Sequence, residues 1–386
     1  MLSEGIVDYK YISADNHLDA YWLPKDLWQK RLPANMRENG PKVVETPDGS
    51  FWFWEGKRHW DSADGSSNAK MHKKYFSRAN LKAGERPPAD PKMLLEHMDM
   101  ASIYSGIFFA NTRKWSVQDP KLRDEIFRTY NDFIIEEINA HSPDRILALP
   151  NLPTYDPEGC VTELKRLIDK GTKSVEFGLY DLGKPLYDEV WEPVFEMAAS
   201  ANIPLCTHIG DGAGNPYPPN VRGSSLAHFS ITPFAALKFI PQFVFSGAFE
   251  RFPNLRVCIA ECRIGWLPFL FNWMDRQAEV RAPDPTVPLS KIPTDYIKKN
   301  MVFTFEEDYV GAKMLDKDWS HLAECAVWGS DYPHEQGTWP DPSAAIEAMF
   351  KGIDPKLKHE IMYEHSRRFF NIKGPQLAKQ PQAVSP

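Results

Sequence analysis

"RILALPNLPTYDPEGCVTELKRLIDKGTKSVEFG" (residues 145–178) sets the fold class. "RILALP" is a short, apolar, β-rich run. In the segment after it, Val161, Leu164, Leu167 and Ile168 fall at helical spacing, and Gly171 supplies a C-terminal stop. "TKSVEFG" is a second short apolar run. The unit reads strand–helix–strand, and the chain repeats it. "SIYSGIFFA" (102–110) precedes the helical pattern "DPKLRDEIFRTYNDFIIEEINAH", and "YDEVWEPVFEMAASAN" precedes "IPLCTH" (203–208). "LRVCIAE" (255–261), "MVFTFEE" (301–307) and "ECAVWGSD" (324–331) complete the series. With the run that ends near His17, these make eight strand candidates. Alternation of this kind predicts a parallel sheet covered by helices, and eight units match a (β/α)8 TIM barrel. A doubly wound sheet has the same local pattern. The count, and the lack of a Gly-x-Gly-x-x-Gly turn after any strand, favour the barrel.

Two stretches interrupt the repeat. Residues 21–90 hold "KVVETPDGSFWFWEGKRHW", which reads as a hairpin with a Pro-Asp-Gly turn and aromatic strands. It is expected as an insertion after strand one, near the barrel mouth, leaving residues 1–20 and 91–372 to form the barrel. "DGAGNPYPPNVRGSSLA" (211–227) is a Gly/Pro/Asn-rich loop directly after strand five, where loops tend to carry function. Residues 373–386 read as a mobile polar tail.

The 386 residues carry a formal charge of -7. No basic cluster points to nucleic acid, and no apolar run is long enough to span a bilayer. The first residues lack the basic start and apolar core of a signal peptide, so a cytoplasmic chain is expected. Five scattered cysteines without metal-ribbon spacing read as reduced, buried thiols. Partners are expected to be a small-molecule substrate and, as an open alternative, further copies of the chain.

Barrel chemistry sits at the C-terminal ends of the strands, so the last residue of each strand is the informative one. In "YISADNHLD" (11–19), alternate residues of a strand share a side, which aims Asp15 and His17 the same way. Strand five ends in His208, strand six in Glu261 and strand eight in Asp331. Each has an ordinary alternative: His208 as a core histidine, Glu261 and Asp331 as caps of the next helix, Asp15 as a turn residue. Together they form a set of imidazoles and carboxylates suited to one divalent ion, zinc first and manganese second. Asp331 and Glu261 can handle protons, and His228 in "SSLAHFS" could add an imidazole. Arg222, Arg263 and His334 are candidate substrate contacts. "FWFW" (51–54), Trp60, Trp266 and Trp339 offer aromatic surface for a pocket.

"ISADNHLD", "IPLCTHIGDG", "SGAFERFPNLRVCIAECRIGWLPFLFNWMD" and "WGSDYPHEQGTWP" together resemble the amidohydrolase superfamily. The branch they resemble is the one typified by 2-amino-3-carboxymuconate-6-semialdehyde decarboxylase. The resemblance implies a (β/α)8 barrel with one divalent metal that hydrolyses C–N or C–C bonds, or decarboxylates without redox chemistry. It puts Asp15 and His17 at a His-x-His or Glu-x-His pair, His208 at the strand-five ligand and Asp331 at the strand-eight aspartate. Glu261 departs from it, since the decarboxylases carry a catalytic histidine there. That departure tips the expectation towards a metal-dependent hydrolase of a small carbonyl compound. A non-oxidative decarboxylase of an aromatic or unsaturated carboxylic acid is the alternative.

Overall fold

The computed structural model describes residues 8–19, 22–61, 90–110, 116–179, 182–209, 221–281, 286, 289–334 and 336–375. Most of the 211–227 loop, residues 62–89 and residues 376–386 lie outside the described residues, so the expectations placed there stay as they are.

Among the described residues, eight strands run parallel. β1 (Tyr11–His17), β5 (Ile103–Phe109) and β6 (Ile146–Ala148) form one sheet. β7 (Val175–Glu176), β8 (Leu205–His208), β9 (Val257–Ala260), β10 (Met301–Phe305) and β11 (Ala326–Trp328) form a second, in chain order. Two isolated parallel bridges join them, Asn151 to Glu176 and Asn16 to Tyr332. A third sheet is antiparallel: β2 (Lys42–Thr46), β3 (Gly49–Trp54) and β4 (Lys57–Asp61), with β2 and β3 turning at Pro47 and Asp48.

Local chemistry explains the elements. The helix Pro157–Asp169 starts with proline, whose missing N–H has no partner to lose there, and it stops before Gly171 at φ +81°. The helix Pro120–Phe133 is capped by Asp119, whose carboxylate accepts from the Lys121 and Leu122 amides. The strand predicted over 172–178 shrinks to Val175–Glu176. Thr172 donates its hydroxyl to the Ser174 carbonyl, folding those residues into a turn.

The apolar residues divide into two clusters. The larger lies between strands and helices and includes Trp28, Trp52, Trp54, Trp191 and Trp328. The smaller gathers alternate strand residues, among them Ile12, Ile107, Leu147, Cys206, Cys258, Val302 and Val327. Tyr363, Phe370 and Ile372 join it from the C-terminal segment. Burying each such side chain contributes roughly 1.5–3 kcal/mol relative to exposure.

On the inner rows the character changes along each strand. Cys206 is followed two residues on by His208, Val302 by Thr304 and then Glu306, and Val327 by Gly329 and then Asp331; the four polar side chains are all buried. With a period of two, these fall on one side of their strands. The strands are therefore apolar at one end of the inner face and polar at the C-terminal end. The Trp52 and Trp54 rings are buried in the core, while buried Trp339 lines a small cavity with His97 and Tyr332.

Candidate metal centre

β1 delivers Asp15 and His17, both buried. The register with β5 shifts between Ser13 and Asn16, and Asn16 turns the other way. Its side-chain oxygen accepts from the Ser13 hydroxyl (2.8 Å) and the Ser330 hydroxyl (2.7 Å), while its amide donates to the Ile107 carbonyl (2.9 Å). This network fastens β1 to the segment after β11. The backbone adds to it: the Asp331 amide donates to the Asp15 carbonyl at 3.0 Å, and His17 to Tyr332 at 2.6 Å. Gly329 is required here, since a Cβ at that position would collide with the Cβ of Asp15.

A ligand atom from each of Asp15, His17 and His208 lies within 4.8 Å of the others. Asp15 Oδ1 is 3.7 Å from His17 Nε2 and 3.7 Å from His208 Nε2. Oδ2 of Asp15 accepts from the Thr304 hydroxyl at 2.9 Å, which fixes the carboxylate. Oδ1 makes no hydrogen bond among the described residues. Asp331 Oδ1 stands 3.1 Å from His17 Nε2, and Glu261 Oε2 stands 3.4 Å from His208 Nε2. A buried carboxylate oxygen turned between imidazole nitrogens is a costly arrangement unless a cation satisfies it. The donor set of imidazoles and carboxylates fits one divalent ion.

Three of the residues here have non-glycine backbones at positive φ: Glu261 (58°), Arg263 (57°) and Asp331 (54°). Such strain persists only where surrounding contacts impose it, and it clusters at functional sites. The contacts are present. The Glu261 amide donates to the Thr304 hydroxyl (2.6 Å), and Asp308 accepts from the Ile264 and Gly265 amides (2.8 and 2.7 Å).

The electrostatics separate the acids. Burial, then the charges of Asp331 and Asp15, push the Glu261 carboxyl up. Burial likewise raises Asp15 and, despite Arg263, Glu306. Burial would raise Asp331 as well, but His334 and His17 hold it well below the usual carboxylate range. His334 bridges Asp331 and Asp19, at 2.9 Å each. Burial and His17 oppose its charge, yet the two carboxylates push its pKa up to about 9.

The sequence-derived candidates fall into two groups. Asp15, His17, His208, Glu261, Asp331 and His334 come together. Arg263 reaches the edge of the group, with its guanidinium 2.6 Å from buried Glu306. Arg222 is exposed, and no polar contact ties it to the cluster among the described residues. His228 lies half-buried on the helix Ser224–Ile231, outside the candidate ligand groups. The sequence reading passed over Asp19, Thr304, Glu306 and Asp308. A period-two reading from Val302 would have found Thr304 and Glu306. A separate cavity of about 250 Å³, lined in part by Ile135, Ile146 and Thr172, lies at the N-terminal end of β6, away from these residues.

Residues 107–372 match the Amidohydrolase family. The chain belongs to the amidohydrolase family. Its sequence is 27% identical over 302 residues to a gamma-resorcylate decarboxylase of Rhizobium radiobacter, covering 72% of this chain and 86% of that one. It is 27% identical over 245 residues to the 2-amino-3-carboxymuconate-6-semialdehyde decarboxylase of Dictyostelium discoideum, covering 63% and 65%. This amidohydrolase therefore falls in the branch that the sequence motifs resemble. Its fold matches that of an amidohydrolase from Mycobacterium avium subsp. paratuberculosis K-10 (TM-score 0.72, 19% identity, 96% and 100% of the chains). It also matches a dihydroxybenzoic acid decarboxylase from Polaromonas with bound manganese and an inhibitor, 2-nitroresorcinol (TM-score 0.61, 17% identity, 95% and 98%). The relatives are decarboxylases, and they favour the alternative reading of the sequence over the hydrolase.

Proposed function

We propose that this amidohydrolase is a metal-dependent, non-oxidative decarboxylase of an aromatic or unsaturated carboxylic acid. The reading takes the eight strands as a closed (β/α)8 barrel of residues 1–20 and 91–372 with 21–90 inserted. The Asn16–Tyr332 and Asn151–Glu176 bridges support closure. The single observation that carries the function is the buried group Asp15, His17, His208 and Asp331, in a chain whose relatives are decarboxylases.

These four residues would hold one divalent ion, manganese or zinc. When bound, such an ion supplies a Lewis acid that anchors and polarises an anionic substrate. The chain's own residues divide the remaining work. Loss of carbon dioxide from R–COO⁻ needs one proton delivered to the carbon that carried it, giving R–H. Glu261 is the donor in this reading, because burial and its acidic neighbours keep its proton at Oε. Asp331 is not, because as a ligand of the ion it is ionised, and His334 hydrogen-bonds to it at 2.9 Å. Asp19 and His334 orient the Asp331 carboxylate, and Thr304 orients Asp15.

Glu261 also keeps the hydrolase reading in play, since a carboxylate beside the ion can take a proton from water. One assay separates the two. Protein supplied with manganese is offered dihydroxybenzoates and muconate-like acids, and separately a panel of small amides. Carbon dioxide release without amide cleavage supports the decarboxylase. Cleavage of amides with no carbon dioxide from any acid overturns it.

A further inference from the structure

The two parallel sheets adjoin at β6 and β7. Among the described residues, the backbone bonds that join these neighbours lie beyond the end of β6, at the last residue of β7. There the Glu176 amide donates to the Pro150 carbonyl (2.8 Å), and the Leu152 amide donates to the Glu176 carbonyl (2.9 Å). Along β6 itself a side chain stands in for a strand. The Asn139 carboxamide donates to the Ala148 carbonyl and accepts from the Ala148 amide, at 2.8 Å each. Asn139 directly follows the π turn Ile134–Ile138, and turns of that kind recur at functional sites. The cavity of about 250 Å³ lies in this gap. Ile146 and Ala148 line it from one strand, and Lys173 and Ser174 line it from the segment that leads into the other.

Its lining combines buried apolar groups with part-exposed cations. Ile146 and Ala148 are buried, and Ile135 is half-buried. The formal charges on the lining are both positive: Lys170 and Lys173, with side chains 33% and 32% exposed. Lys170 Nζ donates to Asp132 (2.7 Å) and Glu136 (3.1 Å). Lys173 Nζ donates to the Pro143 carbonyl (2.8 Å) and to Asp144 (3.3 Å). An ammonium carries three N–H donors, so each lysine keeps one for a further acceptor. The three acids stand outside the lining. The volume is just under the ~300–1,000 Å³ of ordinary ligand sites, which suits a ligand of one ring. Inorganic phosphate fits worse, since it has no apolar part to cover Ile135 and Ile146.

We propose that this cavity is a second ligand site, apart from the strand-end group, for a small monocarboxylic acid with one aromatic ring. The ring lies against Ile135 and Ile146, and the carboxylate lies between the two lysines. Benzoate and 4-bromobenzoate are the probes, on the full chain. In crystals soaked with 4-bromobenzoate, the anomalous peak of the bromine should fall in the cavity. In solution, calorimetric titration with benzoate should show a binding component that the double variant Lys170→Gln, Lys173→Gln weakens at least about tenfold, since charge-assisted hydrogen bonds are lost. Ala140→Trp, which fills the cavity from an exposed position on its lining, should abolish that component. Both variants should keep the wild-type circular dichroism spectrum. The component should persist in His208→Ala, which separates it from binding at the strand ends. Neutral benzamide should bind at least about tenfold more weakly than benzoate. Bromine found at the strand-end group alone, or nowhere, would overturn the proposal. So would equal binding of benzoate and benzamide, or full benzoate affinity in both cavity variants. A bromine peak in the cavity with no benzoate binding in solution would be binding at crystal concentration only, and would overturn it too.

Discussion

Two groups of charged side chains can be set side by side. One lies on the flank, where Arg31, Arg166 and Lys170 meet Asp132, Glu136, Glu137 and Glu163. Its charges nearly balance, its members are part-exposed, and each acid has a cation at bonding distance. The other lies at the strand ends, where Asp15, Asp19, Glu261, Glu306 and Asp331 share Arg263 and the histidines 17, 208 and 334. Its carboxylates outnumber its permanent cation, most of its members are buried, and its backbone is strained at Glu261, Arg263 and Asp331. Charge clustering alone does not mark a site. Buried carboxylates crowded together with imidazoles, with too few permanent cations to pair each one and a frame held by strain and hydrogen bonds, do.

The largest expected difference between the groups is catalytic. Glu261→Gln keeps the shape and removes the proton-transfer group, so turnover should fall by about 10²–10⁴-fold while the melt is unchanged. Full activity in this variant, measured as carbon dioxide release, would make Glu261 a bystander.

A buried histidine beside an aromatic hydroxyl sharpens the contrast. His97 faces the Tyr332 hydroxyl at 2.8 Å, and burial pushes its pKa down to about 4. The unfolded chain therefore binds the proton first. Stability should be complete above about pH 6.5 and fall as pH drops towards 4, by up to roughly 3 kcal/mol. Denaturant melts across this range should show the slope, and His97→Gln, which cannot titrate, should flatten its share of it.

The next effect is smaller. Thr304→Val removes the donor to Asp15 and the acceptor for the Glu261 amide with little change of shape. Metal affinity should weaken by about 10–100-fold, read by competition with a chelator. The smallest belongs to the flank. Lys170→Ala should cost under about 1 kcal/mol in denaturant melts and leave activity untouched, as expected of part-exposed ion pairs.

Much of the strand-end group was legible in advance, because the polar residue that ends each apolar run is visible in the sequence. "IPLCTH" and "VWGSD" end in residues that the fold brings together. "MVFTFEE" was read only for its apolar content. Glu306 was not singled out, although the inward row from Val302 places it on the buried side of the strand. Asp19 was invisible for another reason: its partner His334 lies 315 residues away. The aromatic run "FWFW" was read as pocket surface, yet Trp52 packs edge-on to Trp28 in the core. Periodicity reports which side chains share a face. It does not report what that face meets.

The central claim is that the strand-end group holds one divalent ion that the reaction needs. The most direct measurement is metal content by mass spectrometry, paired with carbon dioxide release, on wild type and His208→Ala. The expected result is about one ion per wild-type chain and loss of both ion and activity in the variant, since removing one ligand breaks the coordination set. A His208→Ala protein that keeps its metal and its turnover would contradict the account.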